Sequence, residues 1–183
     1  SGGVYGQRDK INPFPETHYG AYKLAVEGIA RAYYLEKKLN SFGLRPFVVY
    51  GPGREIGGTA GISLACKAVV QDKEYKIAFG GEAGFVYVED IAVIVLKILT
   101  SLPNGARVMN INGITEEVDT IVEYLNSFTT IKKITYYDKD LPIVGEILGN
   151  SPVDFFENFS FTDIKTGLVK TISYYKNTLE EYN

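Results

Sequence analysis

Apolar residues recur along the chain with two periods. Over residues 17 to 41, Leu24, Ala25, Ile29, Ala32, Tyr33 and Leu39 fall at helical spacing, with Thr17 as a cap before them and Gly43 as a stop after them. ISLACKAVVQD (62–72) and EDIAVIVLKILTSL (89–102) read as two more helices, the second closed by Pro103. TEEVDTIVEYLNSF (115–128) opens at Thr115 and places acids in its first turn, where the helix dipole favours them. TDIKTGLVKTISYYKNTLEEY is a last helix, with Gly167 expected to interrupt it. Between these lie short β-rich runs: LRPFVVYG (44–51) ended by Gly-Pro, YKIAF and GFVYV around a GGEAG turn, ARVMNIN (106–112) and KITYYD. SGGVYG reads as a strand end entering a loop, and GPGREIGGTAG as a glycine-rich loop. Residues 138–160 lack either period and form a candidate lid or arm. Strands alternating with helices predict an α/β fold with a parallel or mixed sheet covered by helices.

The composition narrows this picture. At 183 residues, 45% hydrophobic and 22% charged, the chain is one globular domain or the larger part of one. A net charge of -3 excludes a general nucleic-acid binder with its basic face. Cys66 is the single cysteine, so no internal disulfide is possible, and its apolar helical setting reads as buried packing. No apolar run has membrane-spanning length, no basic-then-apolar segment opens the chain, and no spacing suits a metal. The expectation is a cytoplasmic protein with no metal, nucleic-acid or membrane partner. The opening SGGVYG has no Met, and the chain is expected to be a piece of a longer protein.

THYGAYKLAVEG holds Tyr19 and, four places on, Lys23. The same spacing recurs at Tyr33 with Lys37 and at Tyr34 with Lys38, and 14 tyrosines yield roughly one such pair by composition alone. Spacing therefore decides nothing; surroundings do. Physically, residues four apart on a helix share a face, and an ammonium beside a phenol stabilises the phenolate. Such a phenolate takes a proton from a substrate hydroxyl while hydride leaves the same carbon. No side chain accepts hydride, so this chemistry implies a nicotinamide cofactor.

Around Tyr19 and Lys23 stand SGGVYG, PFPETHYGAYKLAVEG, LRPFVVYGPG and GFVYVEDIAVIVL, in that order. This combination resembles the NAD-dependent epimerase/dehydratase family of the extended short-chain dehydrogenase/reductase superfamily. The resemblance implies the C-terminal part of a Rossmann-like parallel sheet plus a small α/β substrate-binding subdomain. Residues 1–58 would hold the catalytic helix and last Rossmann strands, and 59–183 mostly the substrate-binding part, with 85–112 returning to the sheet. It implies Tyr19 as acid/base, Lys23 as stabiliser of its phenolate and ligand of the nicotinamide ribose, and Ser1 as partner of the reacting oxygen. The backbone around Val48, Val49 and Tyr50 would approach the nicotinamide. It implies NAD or NADP as cofactor, a small-molecule substrate, and a homodimer through the helix bearing Tyr19. Tyr33 with Lys37 and Tyr34 with Lys38 match nothing in the family and read as packing and surface. The phosphate-binding half that comes first in the family is expected to be missing, leaving this piece alone inactive.

The substrate is less sharply marked. Where nucleotide-sugar members place Asn before VYGP, this chain has Val48; where they place Arg before FV, it has Ala83 and Gly84; and no arginine follows Arg107. Diphosphates are gripped by guanidinium forks or helix N-termini, so these departures argue against a standard nucleotide-sugar, with Lys139 or loop amides as substitutes. Arg54 and Thr59, in the glycine-rich loop, are candidate substrate ligands. His18 reads as a surface residue at a helix start, and Glu89 and Asp90 as acids at a helix N-terminus. The expected activity is an epimerase, dehydratase or dehydrogenase using hydride transfer on a sugar or nucleotide-sugar-like substrate. The alternatives are a threonine dehydrogenase-like enzyme for a small hydroxy or amino acid, and a non-catalytic cofactor-binding sensor.

Overall fold

The computed structural model describes residues 1–101, 103–130 and 133–181; the expected helix ends at Leu102 and Tyr182 lie outside the described residues. Gly2–Val4 is a 3-10 turn rather than a strand end. Ser1 Oγ accepts from the Gly3 N–H, and the N–H groups of Val4 and Tyr5 return to the carbonyls of Ser1 and Gly2, closing tight turns where a ladder was expected. Helix α1 spans His18–Lys37, capped as expected by Thr17, whose Oγ1 accepts from the Gly20 N–H at 3.0 Å. It ends short of Gly43 because Lys38 turns left-handed at φ 58°. Its inward face runs through Gly20, Leu24 and Glu27, while Ile29, Tyr33 and Leu39, which share the apolar period, are exposed.

The run LRPFVVYG belongs to two sheets. Strand β1 (Ser41–Pro46) pairs in parallel with β5 (Ala106–Ile111), and β2 (Val48–Tyr50) pairs in parallel with β4 (Glu82–Tyr87). Pro46 has no N–H to continue the first ladder, and the Phe47 N–H closes it on the Ile111 carbonyl at 3.1 Å. The chain then changes partner. Strand β3 (Tyr75–Ile77) pairs in parallel with β7 (Ile134–Tyr136), so YKIAF and GFVYV lie in different sheets rather than in one hairpin. Strand β6 (Ile114–Glu117) runs antiparallel to β4 and sets Thr115 opposite Gly84. The expected helix start at Thr115 is thus strand, and α4 begins later, at Val118–Asn126. Edge pairing overrides the local capping signal.

Helices α2 (Gly61–Val70) and α3 (Val88–Ser101) lie close to their expected bounds, and a short α5 (Pro152–Phe155) breaks the irregular stretch. Helix α6 (Ile164–Glu181) runs through Gly167 without interruption, the Gly167 N–H donating to the Asp163 carbonyl at 3.0 Å. Its buried face is Ile164, Leu168, Thr171 and Tyr175, a helical stripe laid on α2 and the β2–β4 sheet. Gly167 is there for close approach: a Cβ on it would strike the Tyr50 hydroxyl. Cys66 is fully buried between these layers, as expected, and burial pushes its thiol pKa up. A second core joins Val4, Tyr5 and Phe47 to Val144 and Ile147, and a third packs Ile94 and Ile98 of α3 against Val86, Met109 and Ile111. Among the described residues no helix is long and apolar enough to cross a membrane.

Candidate active site

The second core sets the geometry of the site. Gly20, in the first turn of α1, lies so close to the Gly3 carbonyl that a Cβ would collide with it. This contact presses the start of the helix onto the 3-10 turn. Gly3 in turn stands between two expected site residues: a Cβ there would lie 3.3 Å from the Tyr19 ring and 3.4 Å from Ser1 Oγ. Tyr19 is 59% exposed, and Lys23 Nζ lies 5.3 Å from the centre of its ring. Ser1, Tyr19 and Lys23 all face one cavity of about 870 Å³, whose wall also includes Val48, Val49, Arg54 and Thr59.

Tyr50 is placed elsewhere: its ring is buried in the main core against Tyr87 and Gly167, outside the cavity lining. Burial raises the pKa of its hydroxyl. His18 is exposed and outside the lining. Glu89 and Asp90 open α3 as expected; Asp90 is buried and accepts from the N–H and hydroxyl of Thr162 at 2.9 and 2.7 Å.

The glycine-rich loop reaches the cavity from α2. The Gly51 N–H donates to Ser63 Oγ at 3.0 Å, and Lys67 pairs with Glu55 at 2.6 Å, so two positions one turn apart on α2 hold the loop. Arg54 donates to the Ile56 carbonyl and to Thr59 Oγ1, which keeps its guanidinium along the cavity wall.

Sequence reasoning had one feature only as a candidate lid or arm over residues 138–160, and missed another. The first is a further part of the cavity wall, Leu141, Pro142 and Ile143, supplied by the irregular strap over residues 138–150. Gln7 Nε2 donates to the Leu141 carbonyl at 3.2 Å and the Val144 N–H to the Gly6 carbonyl at 3.0 Å, tying the strap beside the 3-10 turn. No periodicity marked it. The second is a buried ion pair. Arg45 Nε and Nη2 donate to the two carboxylate oxygens of Glu27 at 2.9 and 2.6 Å, and Nη1 donates to Tyr5 Oη at 2.6 Å. Burial opposes the charge on Arg45, but the Glu27 carboxylate outweighs it and raises the guanidinium pKa. A signal existed: an arginine inside an apolar strand run needs a partner, and Glu27 lies one helical turn beyond Lys23.

Residues 1–112 match the NAD dependent epimerase/dehydratase family. The chain belongs to that family. No curated protein matches it. Among solved structures, this family member resembles MoeE5 in complex with UDP-glucose and NAD, with TM-score 0.80, 24% identity, and 98% of this chain and 64% of that chain covered. The UDP-glucuronic acid 4-epimerase from Bacillus cereus in complex with UDP-glucuronic acid and NAD gives TM-score 0.76 and 21% identity over 96% of this chain and 59% of that one. A partial consensus L-threonine 3-dehydrogenase gives TM-score 0.82 at 15% identity over 97% and 64%. At such identities the likeness shows the fold, a Rossmann-like α/β arrangement with parallel sheets. The chain spans less than two thirds of the length of each of these structures.

Proposed function

We propose that this epimerase/dehydratase family chain carries the proton-transfer site of an NAD(P)-dependent oxidoreductase, with Tyr19 as acid/base, Lys23 as its electrostatic partner and Ser1 as the substrate's hydroxyl-binding group. The observation that carries this reading is that all three face one cavity, with the Lys23 ammonium 5.3 Å from the Tyr19 ring centre. Tyr19 is open to a substrate. Lys23 sets a positive charge 5.3 Å from the centre of the Tyr19 ring, beside the oxygen that exchanges a proton with substrate. The Ser1 hydroxyl orients the reacting oxygen. Tyr19 then draws the proton from the substrate hydroxyl.

The cavity also fits a nicotinamide cofactor. Leu44, Pro46, Val48 and Val49 offer an apolar wall for a flat ring, and Lys23 offers an ammonium for ribose hydroxyls. Such a cofactor, when bound, supplies the hydride acceptor.

Arg54 and Thr59 are proposed to hold the substrate's polar end, on a sugar or nucleotide-sugar-like molecule of the kind named for the solved relatives. One observation favours a second reading. Arg54 is the one guanidinium among the described residues lining the cavity, whose wall also includes the apolar Leu141–Ile143 segment. A single fork suits one carboxylate, as in a small hydroxy or amino acid. Pairing with a second copy through α1 belongs to the same proposal: exposed Tyr22, Val26, Ile29 and Tyr33 recur at the spacing of a helix-pairing seam.

The deciding experiment measures NAD(P) reduction by this chain, alone and joined to the nucleotide-binding half of a solved relative, against UDP-sugars and small 3-hydroxy acids. Turnover that survives Tyr19→Phe would refute the acid/base role. Cofactor binding without turnover on any substrate would mark a sensor instead.

A further inference from the structure

A continuous series of hydrogen bonds runs from the cavity lining at Glu27 into the body of the molecule. It starts at Glu27 on α1 and passes to Arg45 on β1. Arg45 Nη1 donates to Tyr5 Oη at 2.6 Å, Tyr5 Oη donates to Asn110 Oδ1 at 3.0 Å, and Asn110 Nδ2 donates to the Gly149 carbonyl at 2.9 Å. Beyond Arg45 every link donates in the same direction, away from the guanidinium. Bonds aligned in this way polarise one another, and low local dielectric strengthens them. Tyr5 is 1% exposed, and the side chains of Arg45 and Glu27 are 11% and 15% exposed.

The series joins two things that the proposed chemistry must keep in register. At one end, Glu27 follows Tyr19 and Lys23 on the helix and itself lines the cavity. At the other, Gly149 belongs to the strap that supplies the Leu141–Ile143 wall. Two neighbouring bonds reinforce that end: the Asn110 N–H donates to the Asn150 carbonyl at 2.9 Å, and Asn112 Nδ2 donates to the Ile147 carbonyl. The middle link is chemically more than packing needs. Val4, Phe47, Val144 and Ile147 surround Tyr5 with apolar contacts that a phenylalanine would satisfy equally. The hydroxyl's partners are Arg45 and Asn110.

We propose that Tyr5 and Asn110 are positioning residues: they fix the substrate-facing strap to the Tyr19–Lys23 helix through Arg45 and Glu27. This inference rests on reading the cavity as the reaction site. Displacing a substrate wall by about an ångström costs on the order of 10²-fold in rate at such sites.

Tyr5→Phe removes the two short bonds at its middle, leaves only the longer direct bond from Arg45 Nη1 to Asn110 Oδ1 at 3.4 Å, and keeps the Glu27–Arg45 pair intact. Amide hydrogen exchange of this chain is the first readout. The amides of Leu148 and of Asn110, which bond strap to body, should exchange roughly tenfold faster, as loss of one charge-assisted bond implies, while α1 amides stay as in the wild type. The second readout is kinetic. Tyr5→Phe should raise KM for substrate and leave KM for the cofactor unchanged, because the helix stays pinned. A merely structural role would lower activity with both KM values unchanged. That result, or unaltered exchange at the strap, overturns the proposal. If Tyr5→Phe does not fold, Asn110→Leu removes the side-chain bonds to Tyr5 and Gly149 without adding a charge and is read in the same way. If the wild type has no activity on any substrate, the reading of the cavity fails, and the exchange result still decides whether the series holds the strap.

Discussion

A titratable side chain does chemistry only where a partner can reach it, and Tyr19 meets that condition where Cys66 does not. Tyr19 stands open beside Lys23, so on the proposed acid/base role replacing it with Phe should lower turnover by about 10²–10⁴-fold with little change in thermal stability. Cys66 is fully buried and its thiol is pushed up from its ordinary 9.0 by burial, so it should resist a thiol reagent until denaturant is added. Glu27 is a third case. Its carboxylate compensates a buried guanidinium, so Glu27→Gln leaves Arg45 without its counter-charge and should cost roughly 3 kcal/mol in urea unfolding. Conversion of Arg45 to a neutral residue in the same background should recover part of that loss. Ser1, Tyr19 and Lys23 could be grouped from sequence because motif order and spacing are one-dimensional, and the structure sets all three on one cavity. The pairing of Glu27 with Arg45 was not, because it depends on how α1 crosses β1, which no local pattern encodes.

Elements obey local rules until a close tertiary contact outweighs them, and two helical glycines separate the cases. Gly28 in α1 has open space around its Cβ position, so Gly28→Ala should stabilise by about 0.5–1 kcal/mol through helix propensity. Gly167 in α6 offers the same propensity gain, but its Cβ would strike the buried Tyr50 hydroxyl. The overpacking cost of about 1–3 kcal/mol exceeds the gain, so Gly167→Ala should destabilise. Thermal unfolding of the two variants should therefore move in opposite directions. The same competition explains which elements the sequence revealed. Helices α2 and α3 follow their apolar period because they sit on a core that demands it. The period misled along α1, where Ile29 and Tyr33 face outward and Glu27 faces in. Two partner choices stayed hidden. Pro46 divides one apolar run between two sheets, and β4 recruits Thr115 and Glu116 into a strand where their residue types suggested a helix cap. Gly167 was read as a break because its role, close contact with Tyr50, lies across the fold.

At the scale of the whole molecule, the main core holds several acidic protons out of water. Burial raises the pKa of Tyr50, Tyr175 and Cys66, and that of Tyr87 to about 12, with Glu89 adding to the last. The consequence for stability has a definite sign. An acid with a raised folded pKa keeps its proton in the folded state at pH values where the unfolded chain has lost it. Stability is then fully present below the unfolded values, 9.0 for the thiol and 10.0 for the phenols, and falls as pH climbs above them. Urea midpoints should drop steadily above about pH 9 as the unfolded groups deprotonate. Tyr50 makes the cleanest probe. Among the described residues its hydroxyl has no hydrogen-bond partner, and it packs against Gly167. Tyr50→Phe removes a buried polar atom without emptying the ring's space, so it should leave stability at neutral pH unchanged or slightly higher. It should also make the alkaline decline shallower, because one fewer proton separates the folded and unfolded states. An unchanged decline in Tyr50→Phe would mean that the phenol is reached by solvent, and that the layer formed by α6 over the β2–β4 sheet opens below the global unfolding transition.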